Sequence, residues 1–196
     1  MNDNNMFEAS QDRICTQNPS VTTSLVDVTH ILEQRVKLPC RVLFKNEFEQ
    51  PSGSFKLRGI GNLIRTSIQK AGVISPSNIH VFASSGGNAG LAAAYASRCY
   101  NVKCTVVVPR NTLAHVVQKL KLFGALVVLH GATIGEADVY ARSLLASCGD
   151  DVHTIYCHPF DNPLIWEGHS EIVDETFSQI PCSDFHKVKG VACSVG

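Results

Sequence analysis

HVFASSGGNAGLAAAYASRCYNVKCTVVVP, residues 80–109, decides the fold. It opens on a short apolar run, turns through Ser and Gly into an alanine-rich stretch of helix length, and closes on a run of β-branched residues. Alanine and leucine favour helix, while valine and threonine in runs of four to eight favour buried strand. The alternation continues outward: TLAHVVQKLKLFG reads as a helix, ALVVLH as a strand, TIGEADVYARSLLA as a helix and HTIYCHPF as a strand and turn. A βαβαβα series implies a parallel sheet with helices on both faces, joined by right-handed crossovers. Asn101 and Gly124 fall where helix ends need a left-handed residue, and Pro109 closes a strand. Before this block, RVLFKNEF reads as a strand leading into a turn and LRGIGNLIRTSIQKAG as the helix that follows. After it, NPLIWEGHSEIVDETFSQI reads as a helix and VKGVACSV as another buried strand, ending at Gly196. Residues 1–25, polar and aperiodic, are expected to form a flexible arm.

Composition narrows the setting. Seventeen Lys+Arg balance seventeen Asp+Glu among 196 residues, so the basic surface that draws nucleic acid or anionic membranes is missing. A small-molecule partner is expected instead, with no nucleic acid and no membrane. Every hydrophobic stretch is broken by charge, Gly or Pro well short of the roughly 18 apolar residues a spanning helix needs. The eight cysteines form no CxxC pair and no dense framework, which reads as free thiols in a reducing cytoplasm. With 44% hydrophobic residues the chain can bury a core.

Three stretches could carry chemistry. In EQPSGSFKLRGIGN, residues 49–62, Lys56 stands where a strand turns into a helix, so rigid backbone on both sides can aim its amine. Partly desolvated by Phe55, such an amine can serve as a nucleophile or a base; a solvated lysine at a helix start is the alternative. In SSGGNAG, residues 84–90, paired glycines and a helix N-terminus make a site for an anion such as a carboxylate, or simply a packing turn. The spacing matches neither GxGxxG nor GxxxxGK[ST]. In HPFDNPLIWEGHSEIV, the residues His158, Asp161, Glu167 and His169 lack metal-ligand spacing. They read better as a helix capped at Asp161 or Asn162, with Pro163 in its first turn and Leu164, Ile165, Trp166 and Ile172 on an apolar face. His30, His80, His115 and His130 give no hydrolase triad, and no G-x-S-x-G elbow is present.

Taken together, EQPSGSFKLRGIGN, ASSGGNAGLAAAYASR, TVVVP and PFDNPLIWEGHSEIV resemble, in order and separation, the pyridoxal-phosphate enzymes of the tryptophan-synthase β type. Within them the resemblance is to the L-serine/L-threonine dehydratases, and it covers residues 43–196. It implies an α/β fold with a small and a large domain, the cofactor pyridoxal 5'-phosphate, L-serine or L-threonine as substrate, and homodimers among full-length relatives. It further implies that Lys56 holds the cofactor as a Schiff base, that Phe55 flanks its ring and that Asn88 bonds its 3-hydroxyl. Ser85, Gly86, Asn88 and Ala89 would receive the substrate carboxylate. The implied reaction is β-elimination of serine to pyruvate and ammonia. The family's SVGGGG loop, which wraps the cofactor phosphate, is represented here only by CSVG, with Gly196 as its first glycine. The chain is therefore expected to be truncated on its C-terminal side and inactive. Its small domain, residues 65–157, is expected to be complete, and its large domain, residues 26–64 and 158–196, partial. A β-replacement synthase and a non-catalytic binding module built on the small domain are the other readings.

Overall fold

The computed structural model describes residues 17–72 and 75–193. A two-stranded antiparallel ribbon comes first, β1 (Leu25–Asp27) against β2 (Leu43–Lys45), with the short helix α1 (Thr29–Glu33) between them. The long helix α2 (Lys56–Ala71) follows a 3-10 turn at Glu47–Glu49. Then comes the alternating block: β3 (Ile79–Ala83), α3 (Asn88–Cys99), β4 (Lys103–Val108), α4 (Ala114–Leu122), β5 (Leu126–Leu129), α5 (Ile134–Ala146) and β6 (His153–Cys157). Helix α6 (Pro163–Gln179) and a 3-10 segment at Cys182–Lys187 complete the elements.

The four strands of the block form one parallel sheet in the order β5-β4-β3-β6. Central β3 and β4 are almost wholly buried, as a continuous run such as CTVVV demands, whereas β5 at the edge stays partly exposed. One face carries α2, α3 and α4, whose side chains join the main core. The other carries α5, packed on Val107 through Ala137 and Ala141. The chain thus runs outward from β3 to β5 under one face and returns across the other to β6, reversing strand order between β3 and β6. Asn101 and Gly124 take the left-handed conformations that their positions led us to expect.

Helix α2 is buried along most of its first three turns. Leu57, Ile60 and Ile64 are fully buried, each contributing about 1.5–3 kcal/mol over exposure. Its opposite side meets α6 at closest backbone approach. A Cβ on Gly168 would stand 2.5 Å from the Arg58 carbonyl and 2.8 Å from Gly59 Cα, so only glycine permits this crossing. Beside it Asn62 Nδ2 donates to the Leu164 carbonyl at 2.8 Å.

Three expectations are corrected. Residues 188–193 form no strand and are exposed, Val191 by 85%; a buried strand needs a hydrogen-bonded neighbour, and the described residues offer none there. Trp166 does not lie on the buried face of α6: it is 56% exposed, while its indole N–H donates to the Phe160 carbonyl at 3.0 Å. The end of the expected arm is docked. Gln50 exchanges hydrogen bonds with the backbone of Val21, and Thr23 is buried against Glu47 and Glu175. Among the described residues no two cysteines form a disulfide, and no helix is long and apolar enough to cross a membrane.

Candidate active site

In open α/β sheets ligands settle outside the carboxyl ends of the strands where strand order reverses. Here that point is the crevice beyond β3 and β6, paired from Ile79↔His153 to Ala83↔Cys157. The loop of residues 84–90 leaves β3 there, and residues 158–161 leave β6 there.

Lys56 enters from α2. The preceding turn is closed by Gly53 N–H donating to the Gln50 carbonyl, with Gly53 at φ 90°, and the helix starts at Lys56 itself. The Lys56 amine donates to the Pro159 carbonyl at 2.9 Å. It lies 4.5 Å from the centroid of the Phe160 ring and 5.1 Å from that of Phe55. Burial pulls this amine below the usual lysine range. Phe55, half-buried, meets His169 of α6 with ring centroids 4.9 Å apart and the planes tilted by 57°. The two ring nitrogens of His169 are buried without a partner among the described residues. Burial, then the charges of Lys56 and Arg58, push His169 down to about 4, with Glu47 acting the other way.

The 84–90 loop owes its shape to Gly90, where a Cβ would fall 1.9 Å from the Ser85 carbonyl oxygen. Ser84 is buried and donates to Asp138 Oδ1 of α5 at 2.7 Å; Tyr156 of β6 donates to the same oxygen. Arg142 closes the network on Asp138 Oδ2 at 2.9 Å. Helix α3 starts after Gly87 with no side-chain cap, leaving its first N–H groups for a ligand or water. Ala89 is buried, Ser85 and Gly86 are half-buried, and Asn88 is exposed at the mouth. Sequence reasoning therefore located Lys56, Phe55, Ser85, Gly86, Asn88 and Ala89 on the elements that meet at this crevice, while Gly196 lies outside the described residues. It missed Asp138 and Tyr156 as supports of the loop, and it weighed His158 and His169 only as metal ligands. Among the described residues no cluster of metal-ligating side chains occurs.

A separate open cleft of about 470 Å³ lies past β4 and β5, lined by Arg110, Asn111, His130 and Glu136 among others. Its carboxylate is spent on helix capping: Glu136 accepts from Ala132 N–H at 2.8 Å while Thr133 accepts from Glu136 N–H. The chemistry gathers at the β3–β6 crevice instead. An amine with lowered basicity, an aromatic ring beside it, a buried Ser54 hydroxyl without a partner among the described residues and an uncapped helix start suit a phosphorylated aldehyde that condenses with the amine.

The comparisons agree with this chemistry. The chain is 50% identical over 157 residues to an L-serine dehydratase of Saccharomyces cerevisiae (strain YJM789), covering 78% of this chain and 46% of that protein. An L-serine dehydratase of Dictyostelium discoideum is 40% identical, covering 80% of this chain and 44% of its own length. The crystal structure of a fungal L-serine ammonia-lyase from Rhizomucor miehei superposes with a TM-score of 0.72 at 35% identity, covering 83% of this chain and 48% of that one. The chain spans about half the length of the curated relatives it matches. The family described as "Pyridoxal-phosphate dependent enzyme" matches residues 22–196, so the chain belongs to the pyridoxal-phosphate-dependent enzymes.

Proposed function

We propose that this chain carries the lysine-bearing portion of an L-serine dehydratase, a lyase that converts L-serine to pyruvate and ammonia, with L-threonine as the alternative substrate. The observation that carries the reading is the Lys56 amine, half-buried at the β3–β6 crevice and held there by the Pro159 carbonyl. Lys56 would hold the cofactor covalently, with Phe55 beside its ring, Asn88 at its edge and Gly196 at its phosphate. When bound, pyridoxal phosphate supplies an electron sink that stabilises negative charge at the substrate α-carbon.

The remaining work falls to the chain's own groups. The Lys56 amine, released when the substrate amine takes its place, would be the base that removes the α-proton. The Ser85 hydroxyl and the N–H groups of the 84–90 loop at the start of α3 orient the substrate carboxylate, because that helix end favours negative charge. With the carboxylate fixed there, the Lys56 amine would take the α-proton and could return it to the β-hydroxyl, which would then depart as water. The division into a small domain, residues 65–157, and parts of a large domain, residues 26–64 and 158–196, belongs to the same reading. Its support is that one sheet holds β3 to β6 while α6 packs on α2 outside it.

Addition of pyridoxal phosphate to the purified chain tests the reading. The visible absorbance of a cofactor–lysine imine should develop and be absent in Lys56→Ala. Equal absorbance in the two proteins would overturn the assignment of Lys56.

A further inference from the structure

The turn at residues 158–161 is built around one acceptor, the Nδ1 of His158. His158 Nδ1 accepts from Asp161 N–H at 2.7 Å and from Phe160 N–H at 3.2 Å, so this nitrogen carries no proton and the two donors are satisfied by one side chain. The Phe160 carbonyl is taken by the Trp166 indole. Pro159 has no N–H, and its carbonyl accepts from the Lys56 amine. The Phe160 ring is 61% exposed, so burial does not account for its position; it lies against the amine. A carbonyl and the face of an aromatic ring are together what an ammonium or amine binds.

We propose that the 158–161 turn is a receiver for the free Lys56 amine, with His158 as the positioning residue that shapes it. The turn holds the amine, through the Pro159 carbonyl and the Phe160 ring, whenever the amine is not covalently engaged. This rests on the function proposed above, in which Lys56 must be released and still stay within reach of the α-carbon. A lysine side chain freed into water would spread over many rotamers, and ordering it again carries an entropic cost. A receiver avoids that cost at each turnover.

The test needs no cofactor. In isotope-labelled protein, the Lys56 side-chain methylene next to the amine should show an upfield ring-current shift relative to an exposed lysine such as Lys189. His158→Ala removes the acceptor for two backbone donors and should carry that resonance most of the way to the Lys189 position. His158→Asn should preserve the shift, because the asparagine oxygen stands where Nδ1 stands and closes the same kind of turn. An unchanged shift in His158→Ala, with the sheet amides at native positions, overturns the proposal; so does loss of the shift in His158→Asn. If His158→Ala does not fold, His158→Asn decides alone: a retained shift supports the receiver and a lost one refutes it. Because pyridoxal phosphate is never added, failure here leaves the absorbance test of Lys56 standing. A missing absorbance band together with the predicted shifts would refute the function while retaining the receiver.

Discussion

Asp138 shows how much a single carboxylate can organise at the crevice. One oxygen accepts from both Ser84, at the end of β3, and Tyr156, near the end of β6, while the other accepts from Arg142 one turn along α5. Burial raises this carboxyl's affinity for protons, but the Ser84 and Arg142 hydrogen bonds outweigh it, and the group stays below its usual range. Asp138→Ala removes the shared carboxylate and leaves the buried Ser84 hydroxyl and the Tyr156 hydroxyl, 3.1 Å apart, only each other. It should lower stability by about 1–3 kcal/mol in urea titration. Tyr156→Phe removes one donor and keeps the other satisfied, so its cost should be near 1 kcal/mol. Equal losses in the two variants would mean that the carboxylate does not serve both strands. None of this was readable from the sequence: Asp138 stands 54 positions from Ser84, and no local pattern links an acidic residue in the middle of a helix to a serine at a strand end.

Helices α2 and α6 meet by two devices that act on the same contact. The first is steric, since Gly168 lets the backbones touch. A Cβ there would force apart the Arg58 carbonyl, Asn62 and Gly59, so Gly168→Ala should cost about 1–3 kcal/mol and shift α6 outward. The second is ionic. Arg58, 2% exposed, bonds Glu47 through Nε and Nη2 at 2.9 and 2.8 Å and Glu175 of α6 through Nη1 at 2.8 Å, with Lys45 also paired to Glu175. Arg58→Met leaves two carboxylates in a half-buried site with Lys45, Thr23 and Gln50 but no guanidinium beside them. The expected loss is about 3–5 kcal/mol, recovered in part by adding Glu47→Gln, and denaturant midpoints of the single and double variants measure both. The elements themselves were legible because their signals are local: the β-branched runs became β3 to β6 and the alanine-rich stretch became α3. VKGVACSV carried the same signal and formed no strand across its described residues, because strand propensity is realised only beside a partner strand. Trp166 failed for a related reason: helical spacing assigns a face, but α2 narrows the buried stripe of α6 to Ile165 and Gly168.

Across the whole molecule, motif reading proposes for the candidate site only what is written contiguously, Phe55–Lys56 and the loop from Ser85 to Ala89. What it left out was the support supplied by distant elements, and His169 is the residue through which that support becomes measurable as stability. Its ring fills the contact between Phe55 and Gly59, and its protonation would add a positive charge beside those of Lys56 and Arg58. In the unfolded chain His169 titrates at its ordinary 6.5; in the fold it does so at about 4. Between those values the unfolded chain binds a proton that the folded chain refuses, so stability is fully present above pH 6.5 and falls as pH drops toward 4. Glu175 adds a second, lower window. Burial works against its ionisation, but the hydrogen bonds from Arg58 and Lys45 and from Thr23 N–H prevail and bring it from 4.5 to about 2, so its contribution is lost below pH 4.5. The urea midpoint should therefore decline in two successive stages as pH is lowered from 7. His169→Gln, which cannot take up a proton, should reduce the upper stage to the share of His80, which burial and Lys103 also hold below its ordinary value, and leave the lower stage in place; Glu175→Gln should remove the lower stage and also reduce stability at neutral pH. A wild-type midpoint that stays level from pH 6.5 to 4.5, or an upper stage undiminished in His169→Gln, would show that the imidazole is not held neutral by its place between α2 and α6.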